Sequence, residues 1–255
     1  MNFPLAETVT PRLEIVEQTG STNADLTSRV GDLQGWPHLS VLVTANQTAG
    51  RGRLDRTWVA PAGASLAISV LLRDLPAPGV RGWIPLAAGA AMAGAVAAQL
   101  PGRAVGVKWP NDVLVEGRKI CGILAEAASD AVVIGAGVNT AMSTDQLPVP
   151  TATSFAALDA EVDADRLLTD YLRALEAYLS ALAAAGDAGA SGLHVIVAER
   201  CVTLGQEVAV SLPGGGVLRG SAVRLDPEGR LVVAVGGVEH PVSAGDVVHV
   251  RPVGL

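Results

Sequence analysis

The sequence predicts an α+β fold, in which helices pack on a mixed sheet and a small all-β barrel follows. Over residues 1–203, short apolar runs are mixed with helical patterns in α+β order. Over residues 207–251 the character changes, because short apolar runs are separated by glycine-rich or Pro-Glu-Gly turns, as is typical of a small barrel. We therefore expect two domains, residues 1–203 and residues 204–255.

Six strands are predicted in the first domain, from apolar runs that Gly, Pro or Asn interrupt. They cover residues 41–45, 65–72, 104–109, 112–116, 119–126 and 131–138. The turn Glu116-Gly117-Arg118 is tight enough to join two of these strands as a hairpin.

Three helices are predicted, over residues 22–30, 84–99 and 164–185. The second lies in an uncharged, Ala- and Gly-rich run, which is weakly hydrophobic for a membrane span of about 20 strongly apolar residues. We expect it to be buried in a soluble core. In the third, seven side chains share one apolar face before Gly186 ends the helix: Leu167, Leu168, Tyr171, Leu172, Leu175, Leu179 and Leu182.

The composition argues against several classes of function. A net charge of −7 gives no basic surface for general DNA or RNA binding. The two cysteines and four histidines have neither metal-ligand spacing nor the pattern of a disulfide framework. The first residues lack the basic and apolar regions of a signal peptide. We therefore expect a cytoplasmic protein with no protein-bound metal, no DNA partner and no membrane partner.

Lysine is rare in this chain. Sixteen of the eighteen basic residues are arginine, and only Lys108 and Lys119 are lysine. Lysine is a compact point charge, whereas arginine is a wide planar fork. The two lysines therefore indicate places where arginine does not serve, unless they are chance survivors of a compositional bias.

Lys108 opens the segment Lys-Trp-Pro-Asn-Asp, where one predicted strand ends and the next begins. Its charge would be partly desolvated between apolar strands, which costs free energy unless a partner neutralises it. Two interpretations stay open: a buried structural pair with Asp112, or a lysine that meets an anionic ligand.

Residues 47–58, QTAGRGRLDRTW, have the composition of a phosphate-binding loop. Gly50 and Gly52 let backbone amides approach a ligand, and Arg51 and Arg53 offer charge-assisted hydrogen bonds. The loop lacks the Gly-Lys-Ser/Thr of a Walker loop and the third glycine of a dinucleotide fingerprint. The alternative is a solvated basic turn.

Residues 21–25, Ser-Thr-Asn-Ala-Asp, open the first predicted helix. Thr22 and Asp25 match a capping box, which is sufficient reason for these residue types. The alternative is a polar ligand held by the hydroxyls and the amide at the helix N-terminus.

Gly135 and Gly137 end an apolar strand. Such glycines often mark only close backbone packing. Together with Gly122 on a neighbouring predicted strand, they would leave a narrow apolar slot for a flat ligand.

In their order along the chain, these motifs closely resemble those of the biotin protein ligases. The chain carries Ser-Thr-Asn, then Gln-x-x-Gly-Arg-Gly-Arg-x-x-Arg-x-Trp, then Lys-Trp-Pro-Asn-Asp, then Lys-x-x-Gly-Ile-Leu-x-Glu, then Ile-Gly-x-Gly-x-Asn. The resemblance covers nearly the whole chain, including the family's SH3-like C-terminal domain, but no DNA-binding domain. It implies the biotin–lipoate ligase fold, which is like that of class II synthetases, and the monofunctional form of the family.

The resemblance also implies a reaction in two steps. Biotin and ATP give biotinyl-5′-AMP and pyrophosphate, and biotin is then transferred to a lysine on the biotin carboxyl carrier domain of an acyl-CoA carboxylase. Mg²⁺ is expected to accompany ATP. Both nucleophiles arrive on substrates, so catalysis would come from positioning and electrostatics. A monomer or weak dimer is expected.

Individual residues take expected roles from the resemblance. Lys108, Arg51 and Arg53 would be catalytic, with Lys108 against the biotin carboxylate and the α-phosphate. The expected biotin contacts are Ser21, Thr22, Asn23, Gln47, Arg51, Gly52, Arg53, Lys108, Gly122, Gly135 and Gly137. The expected nucleotide contacts are Arg51, Gly52, Arg53, Trp58, Lys108, Asn111 and Asn139.

Two expectations concern residues outside this set. Lys119 would need only a cationic or polar side chain in its hairpin. The barrel turn that carries Arg224, Asp226 and Glu228 would be exposed and would recognise the carrier protein, without affecting biotin or ATP.

The loop departs from the family at Leu54-Asp55. Family members commonly carry Arg or His, then Gly, then Arg after Gly-Arg-Gly-Arg, so this chain loses a glycine and gains a negative charge. Weaker retention of the adenylate and a solvent-facing Asp55 are both open.

Three alternatives remain. A lipoate ligase shares the fold and the adenylation step, but the Gly-Arg-Gly-Arg loop together with Lys-Trp-Pro-Asn-Asp favours biotin. A nucleotide-dependent dehydrogenase would need a third glycine and an acidic residue about 20 positions further on. A biotin sensor or regulator without ligase activity is the third.

Overall fold

A seven-stranded mixed sheet forms the centre of the protein in the computed structural model, which describes residues 1–54, 56–212, 215–243 and 245–249. The strands of the first part of the chain are β1 (Leu13–Ile15), β2 (Val41–Thr44), β3 (Gly50–Arg51), β4 (Thr57–Trp58), β5 (Ser65–Leu72), β6 (Val105–Lys108), β7 (Asp112–Val115), β8 (Arg118–Ala128) and β9 (Ala131–Asn139). The sheet order is β1-β2-β5-β9-β8-β7-β6, and β3 pairs with β4 as a separate hairpin. Only β1 and β2 run parallel in the large sheet.

Four α-helices accompany the sheet: α1 (Thr22–Ser28), α2 (Ile84–Gln99), α3 (Ala164–Ala185) and α4 (Leu193–Arg200). The helix α1 packs on one face of the sheet, where Leu26 joins a buried cluster with Leu42, Leu71 and Val133. The opposite face carries α2, which in turn packs on α3. We call the first of these the α1 face.

The predicted α+β class with a mixed sheet is confirmed, and all six predicted strands form within a few residues of their expected bounds. The first helix ends at Ser28 rather than at residue 30. The sequence pattern does not predict β1 or the β3–β4 hairpin, because their strands have only three and two residues and are too short for a periodic pattern. No element is predicted where α4 forms.

The small side chains of α2 fit its position between the sheet and α3. Eleven of its residues are buried, mostly Ala, which lets the helix approach both neighbours closely. By length and composition Pro78–Gln99 would be long and apolar enough to cross a membrane, but 67% of its apolar window is buried inside the fold. The expected core helix is confirmed.

The predicted faces and turns also form. All seven expected side chains of α3 are buried, Asp163 caps its N-terminus by accepting from Arg166 N at 3.0 Å, and Gly186 ends it at φ +66°. The β7–β8 hairpin turns through Glu116 and Gly117, with φ values of +50° and +78°, as a tight two-residue hairpin turn requires.

An antiparallel five-stranded sheet follows, and it confirms the SH3-like C-terminal part. Its strands are β10 (Glu207–Ser211), β11 (Val217–Leu225), β12 (Leu231–Val235), β13 (Val238–Val242) and β14 (Asp246–His249), in the order β13-β12-β11-β10-β14. We call this part the barrel. Residues 250–255 of the expected barrel domain lie outside the described residues, and the domain boundary at 203/204 stays a prediction.

The barrel is held to the first part of the chain by two tryptophans. Trp83 Nε1 donates to the carbonyl of Pro227 at 2.7 Å, and Trp109 Nε1 donates to that of Gly229 at 3.2 Å. Trp83 and Trp109 are 0% and 2% exposed, so these donors would be unsatisfied without the barrel turn.

The expectation that this turn is wholly exposed is wrong. Arg224 and Glu228 are exposed, but Asp226 is buried, at 4% exposure. Its carboxylate shapes the turn by accepting from the backbone N–H groups of Glu228 at 3.1 Å and Arg230 at 2.9 Å. The turn therefore fastens the barrel to the first part of the chain.

Gly229→Ala is expected to destabilise the protein more than Gly237→Ala. Both glycines have left-handed φ values, +82° and +85°, so each alanine would cost about 1–2 kcal/mol of backbone strain. A Cβ at Gly229 would also lie 3.1 Å from Leu86 and 3.4 Å from Trp83, whereas one at Gly237 would meet no atom within 4 Å. Urea unfolding should show an additional loss of about 1–3 kcal/mol for Gly229→Ala. Equal losses would show that this turn does not hold the barrel.

Candidate active site

The candidate active site is a cleft on the α1 face, formed by two adjoining cavities. The first is lined by Ser21, Thr22, Asn23, Gln47, Arg51, Trp58, Ala67, Ile68, Gly122, Leu124, Gly135, Ala136 and Gly137. The second is lined by Gly52, Arg53, Leu54, Arg56, Thr57, Trp58, Asn111, Asp112, Lys119, Gly122, Ile123 and Asp246. Trp58 and Gly122 border both cavities, so the two are halves of one cleft.

The N-terminus of α1 supplies the polar end of the first cavity. Ser21 is the N-cap, and its hydroxyl accepts from the backbone N–H of Ala24 at 3.4 Å. Thr22 turns inward instead, donating from its backbone N–H and its hydroxyl to Gln47 Oε1 at 2.9 and 3.0 Å. The expected capping box of Thr22 and Asp25 is therefore wrong, because Thr22 lies one residue inside the helix and Asp25 accepts from Thr19.

Asn23 connects this polar end to the sheet. Its Nδ2 donates to Glu126 Oε2 at 2.8 Å, and its Oδ1 accepts from the hydroxyl of Ser69 at 2.5 Å. Neither Ser69 nor Glu126 has a role predicted from the sequence. Ser69 could have been identified from the sequence, because a serine within a strand that is largely apolar and fully buried needs a hydrogen-bond partner.

The three glycines line the first cavity as expected, but each also makes room for a neighbouring side chain. A Cβ at Gly135 would lie 2.5 Å from Asn23 Oδ1, and one at Gly137 would lie 2.7 Å from the Trp58 ring. A Cβ at Gly122 would lie 3.1 Å from Lys119 Nζ. The bare backbone therefore lets an amide, an indole and an ammonium lie directly against the sheet.

The arginine loop, residues 47–58, folds over the cleft as the β3–β4 hairpin. Arg51 forms an ion pair with Glu126 at 2.9 Å, and Arg53 donates to Asn111 Oδ1 at 2.9 Å. Burial lowers the pKa of Arg53, and the charges of Asp112 and Asp246 oppose that shift. The interpretation as a merely solvated basic turn is not supported, because both arginines border the cavities.

Trp58 forms the wall between the two halves of the cleft. Its ring lies against Gly137 and Gly122, and Lys119 Nζ lies 5.8 Å from its centre. The indole Nε1 is buried and has no hydrogen-bond partner among the described residues. A buried donor of this kind is costly to leave unpaired, so it is available to an acceptor on a ligand.

The structure places Lys119 directly against the cleft. Lys119 Nζ lies 2.6 Å from Asp112 Oδ1 and borders the second cavity. Lys108 lines neither cavity. Its charge lies beside the barrel residue His249, whose pKa is lowered by burial and then by Lys108. The pKa of Asp246, which borders the second cavity, is lowered first by Arg56 and also by Lys108. The expected position of Lys108 at the reacting centre stays a prediction, whereas the alternative pair with Asp112 is corrected, because Asp112 pairs with Lys119.

A β-bulge is the physical reason that Lys119 reaches the cleft. The β7–β8 register shifts between Val113, which pairs with Cys121, and Leu114, which pairs with Lys119. In a regular strand Lys119 would share the face of Cys121, which is buried on the side away from the cleft. The extra residue in β8 brings Lys119 to the face of Gly122 instead.

The two asparagines of the expected nucleotide site do not line the same cavity. Asn111 lines the second cavity and donates from Nδ2 to the carbonyl of Ile123 at 3.0 Å. Asn139 lines neither cavity; it is buried at the end of β9 and donates to the carbonyl of Thr153 at 2.9 Å. Its expected contact with the nucleotide stays a prediction. Asp55 lies outside the described residues, so the effect of Leu54-Asp55 stays open.

The cleft thus has one end suited to a neutral polar group and one end suited to an anion. Hydroxyl and amide groups line the first cavity together with Arg51, which is paired with Glu126, whereas Lys119, Arg53 and Arg56 border the second with the carboxylates of Asp112 and Asp246. Cys121 lies nearby in sequence but is fully buried, and burial raises the pKa of its thiol. A thiol held protonated in this way is a poor nucleophile.

Comparison with known proteins identifies two families along the chain. The model of the biotin/lipoate A/B protein ligase family matches residues 16–139, and that of the biotin protein ligase C terminal domain matches residues 203–250. The fold is similar to that of biotin protein ligase from Aquifex aeolicus in complex with biotin and ATP, with a TM-score of 0.78 at 23% identity over 94% of this chain and 99% of that one. It is also similar to biotin protein ligase from Leishmania major in complex with biotinyl-5-AMP, with a TM-score of 0.63 at 26% identity over 92% and 99%.

Curated relatives extend the match to nearly the full length. The chain is 42% identical over 247 residues to the biotin–[acetyl-CoA-carboxylase] ligase of Mycobacterium tuberculosis, covering 94% of this chain and 90% of the relative. It is 40% identical over 127 residues to the bifunctional ligase/repressor BirA of Escherichia coli, covering 48% of this chain and 38% of the relative. With both halves of the cleft in place and a relative matched along its length, the chain belongs to the biotin protein ligase family.

Proposed function

We propose that this protein is an ATP-dependent biotin protein ligase. It would convert biotin and ATP to biotinyl-5′-AMP and pyrophosphate, and then transfer biotin to a lysine on the biotin carboxyl carrier domain of an acyl-CoA carboxylase. The observation that carries the proposal is the single cleft in which a polar end and a cationic end meet at Trp58 and Gly122. A molecule that joins a neutral head to a phosphate would occupy both ends.

The first cavity fits the biotin head. The ureido ring of biotin has one acceptor oxygen and two N–H donors, and Ser21, Thr22, Asn23 and Gln47 present both kinds of partner. The hydrogen bonds from Ser69 and Glu126 fix the orientation of the Asn23 amide. Because these partners are ordered before biotin arrives, little side-chain entropy would be lost on binding.

The second cavity fits the reacting phosphate. In the first step a biotin carboxylate oxygen attacks the α-phosphorus of ATP, and pyrophosphate leaves. We propose that the ammonium of Lys108 lies against the carboxylate and the α-phosphate and offsets the negative charge of the transition state. Lys119, beside Gly122, would add positive charge in the same cavity. Arg51 and Arg53 would close over the adenylate with backbone support from Gly52.

In the second step the amine of the carrier lysine attacks the acyl carbon of the mixed anhydride, and AMP leaves. Lys108, together with Lys119, would stabilise the charge that develops on the departing phosphate. Trp58, between the two cavities, would cover the acyl phosphate, and its free Nε1–H would donate to a ligand oxygen. Neither step needs a nucleophile from the protein.

We propose that Mg²⁺ enters with the triphosphate. The two carboxylates that border the second cavity, Asp112 and Asp246, are already paired with Lys119 and Arg56. The ion would therefore be held mainly by phosphate oxygens and water, as is common for Mg²⁺ at nucleotide sites. A cytoplasmic location and a monomer or weak dimer also remain proposals.

The test of the activity is mass spectrometry of a biotin carrier domain incubated with the protein, ATP and Mg²⁺. We expect one biotinyl group to be added with biotin, and no lipoyl group with lipoate, because the polar end of the cleft matches the ureido ring. Omission of ATP is the control. Lipoylation would favour a lipoate ligase, and biotin binding without transfer would favour a sensor.

Lys119→Gln is expected to slow adenylate formation by about 10²–10³-fold, the usual cost of removing one donor that stabilises a transition state. Lys119→Arg should also be impaired, because a planar fork does not replace a point charge beside Gly122 and Asp112. Single-turnover release of pyrophosphate measures both. Lys108→Gln is expected to slow adenylate formation at least as much, because the resemblance places Lys108 at the reacting centre. Arg166→Gln, at an exposed arginine on α3, is the control. Near-normal release of pyrophosphate in Lys108→Gln would contradict its role.

Arg51→Ala is expected to release biotinyl-AMP faster by about 10- to 100-fold, because charge-assisted hydrogen bonds contribute about 1.5–3 kcal/mol. Escape of the adenylate can be followed by the modification of bystander lysines on an unrelated protein. Arg166→Ala, an exposed arginine on α3, is the control. If Arg51→Ala holds the adenylate as well as the unchanged protein does, the arginine loop does not retain it.

A further inference from the structure

The barrel borders the second cavity of the cleft through Asp246, the first residue of β14. Its carboxylate accepts two hydrogen bonds from Arg56, with Nη1–Oδ1 at 3.3 Å and Nη2–Oδ2 at 2.5 Å. The preceding carbonyl, of Gly245, accepts from Arg53 Nη2 at 3.3 Å. Two arginines of the arginine loop are therefore held by adjacent residues of the barrel.

This contact is not needed to attach the barrel. The turn at Pro227 and Gly229 already joins it to Trp83 and Trp109 through buried hydrogen bonds. The Arg56–Asp246 pair lies on the rim, with its side chains 61% and 37% exposed. Exposed ion pairs contribute little to the free energy of unfolding. We therefore expect this pair to affect the position of the arginine loop rather than the stability of the protein.

The charges at this point also favour a role toward phosphate. A lone carboxylate beside a cavity lined by Lys119 and Arg53 would repel an anionic ligand. The hydrogen bonds from Arg56 lower the pKa of Asp246, so the carboxylate stays ionised and paired at neutral pH. Arg56 thereby neutralises Asp246, while Asp246 fixes Arg56 in place.

We infer that Asp246 is a positioning residue for the nucleotide half of the cleft, holding the arginine loop in place through Arg56. The barrel then controls ATP affinity and retention of the adenylate, in contrast to the expectation that it acts only on the carrier protein. The inference rests on the proposed ligase activity.

Four variants test it: Asp246→Asn, Arg56→Asp, the double variant with Asp246→Arg and Arg56→Asp, and Glu239→Gln as control. Glu239 pairs with Arg224 elsewhere on the barrel, and both are about half exposed. Asp246→Asn and Arg56→Asp should each raise the KM for ATP and the rate of adenylate release by about two- to fivefold, the range expected for an exposed ion pair. The Kd for biotin without nucleotide should stay unchanged.

The double variant should return the KM for ATP and the rate of adenylate release to the values of the unchanged protein, because it restores the ion pair with its charges exchanged. Glu239→Gln should also have the values of the unchanged protein. Amide hydrogen exchange over residues 50–58, without any substrate, should be faster in Asp246→Asn and recover in the double variant.

The inference is overturned if Asp246→Asn leaves ATP KM unchanged, if Glu239→Gln has the same effect, or if biotin affinity falls equally. It is also overturned if the double variant has the same raised KM for ATP and the same fast adenylate release as the single variants. Failure of the unchanged protein to form any adenylate would instead overturn the proposed function, so the two failures are distinguishable.

Discussion

The cleft depends on one constraint, the bare backbone of β8 and β9 on the α1 face. At Gly135 and Gly137 even a methyl group would collide with Asn23 or Trp58. Because those positions are empty, an amide from α1 and an indole from the arginine loop both reach the sheet. The polar end and the dividing wall of the cleft follow from this close approach.

The cations of the cleft are held by acidic or polar partners before a substrate arrives. Lys119 pairs with Asp112, Arg51 with Glu126, and Arg53 donates to an asparagine. Such pairs fix the position of each cation while adding little net stability at the protein surface. A phosphate that enters the cleft would meet donors already oriented toward it, which is the arrangement that electrostatic catalysis requires.

The barrel and the sheet are joined through two contacts of different character. The turn at Gly229 is buried against tryptophan rings, where an unmade hydrogen bond would be expensive. The contact at Asp246 is exposed and connects to a loop, where a lost ion pair costs little. The first fastens the barrel, and the second allows it to act on the arginine loop without affecting the stability of the whole.

The sequence alone determined the elements that rest on local pattern: the mixed α+β organisation, the face of α3, the hairpin at Gly117, and the residue types of a ligase cleft. It did not determine that Lys119 reaches that cleft. Strict alternation along β8 would place Lys119 away from Gly122, and only a bulge set by the pairing with β7 reverses its direction. Likewise the burial of Asp226 depends on tryptophans more than a hundred residues away. These outcomes required the tertiary structure, because they follow from register and from contacts between distant segments rather than from neighbouring residues.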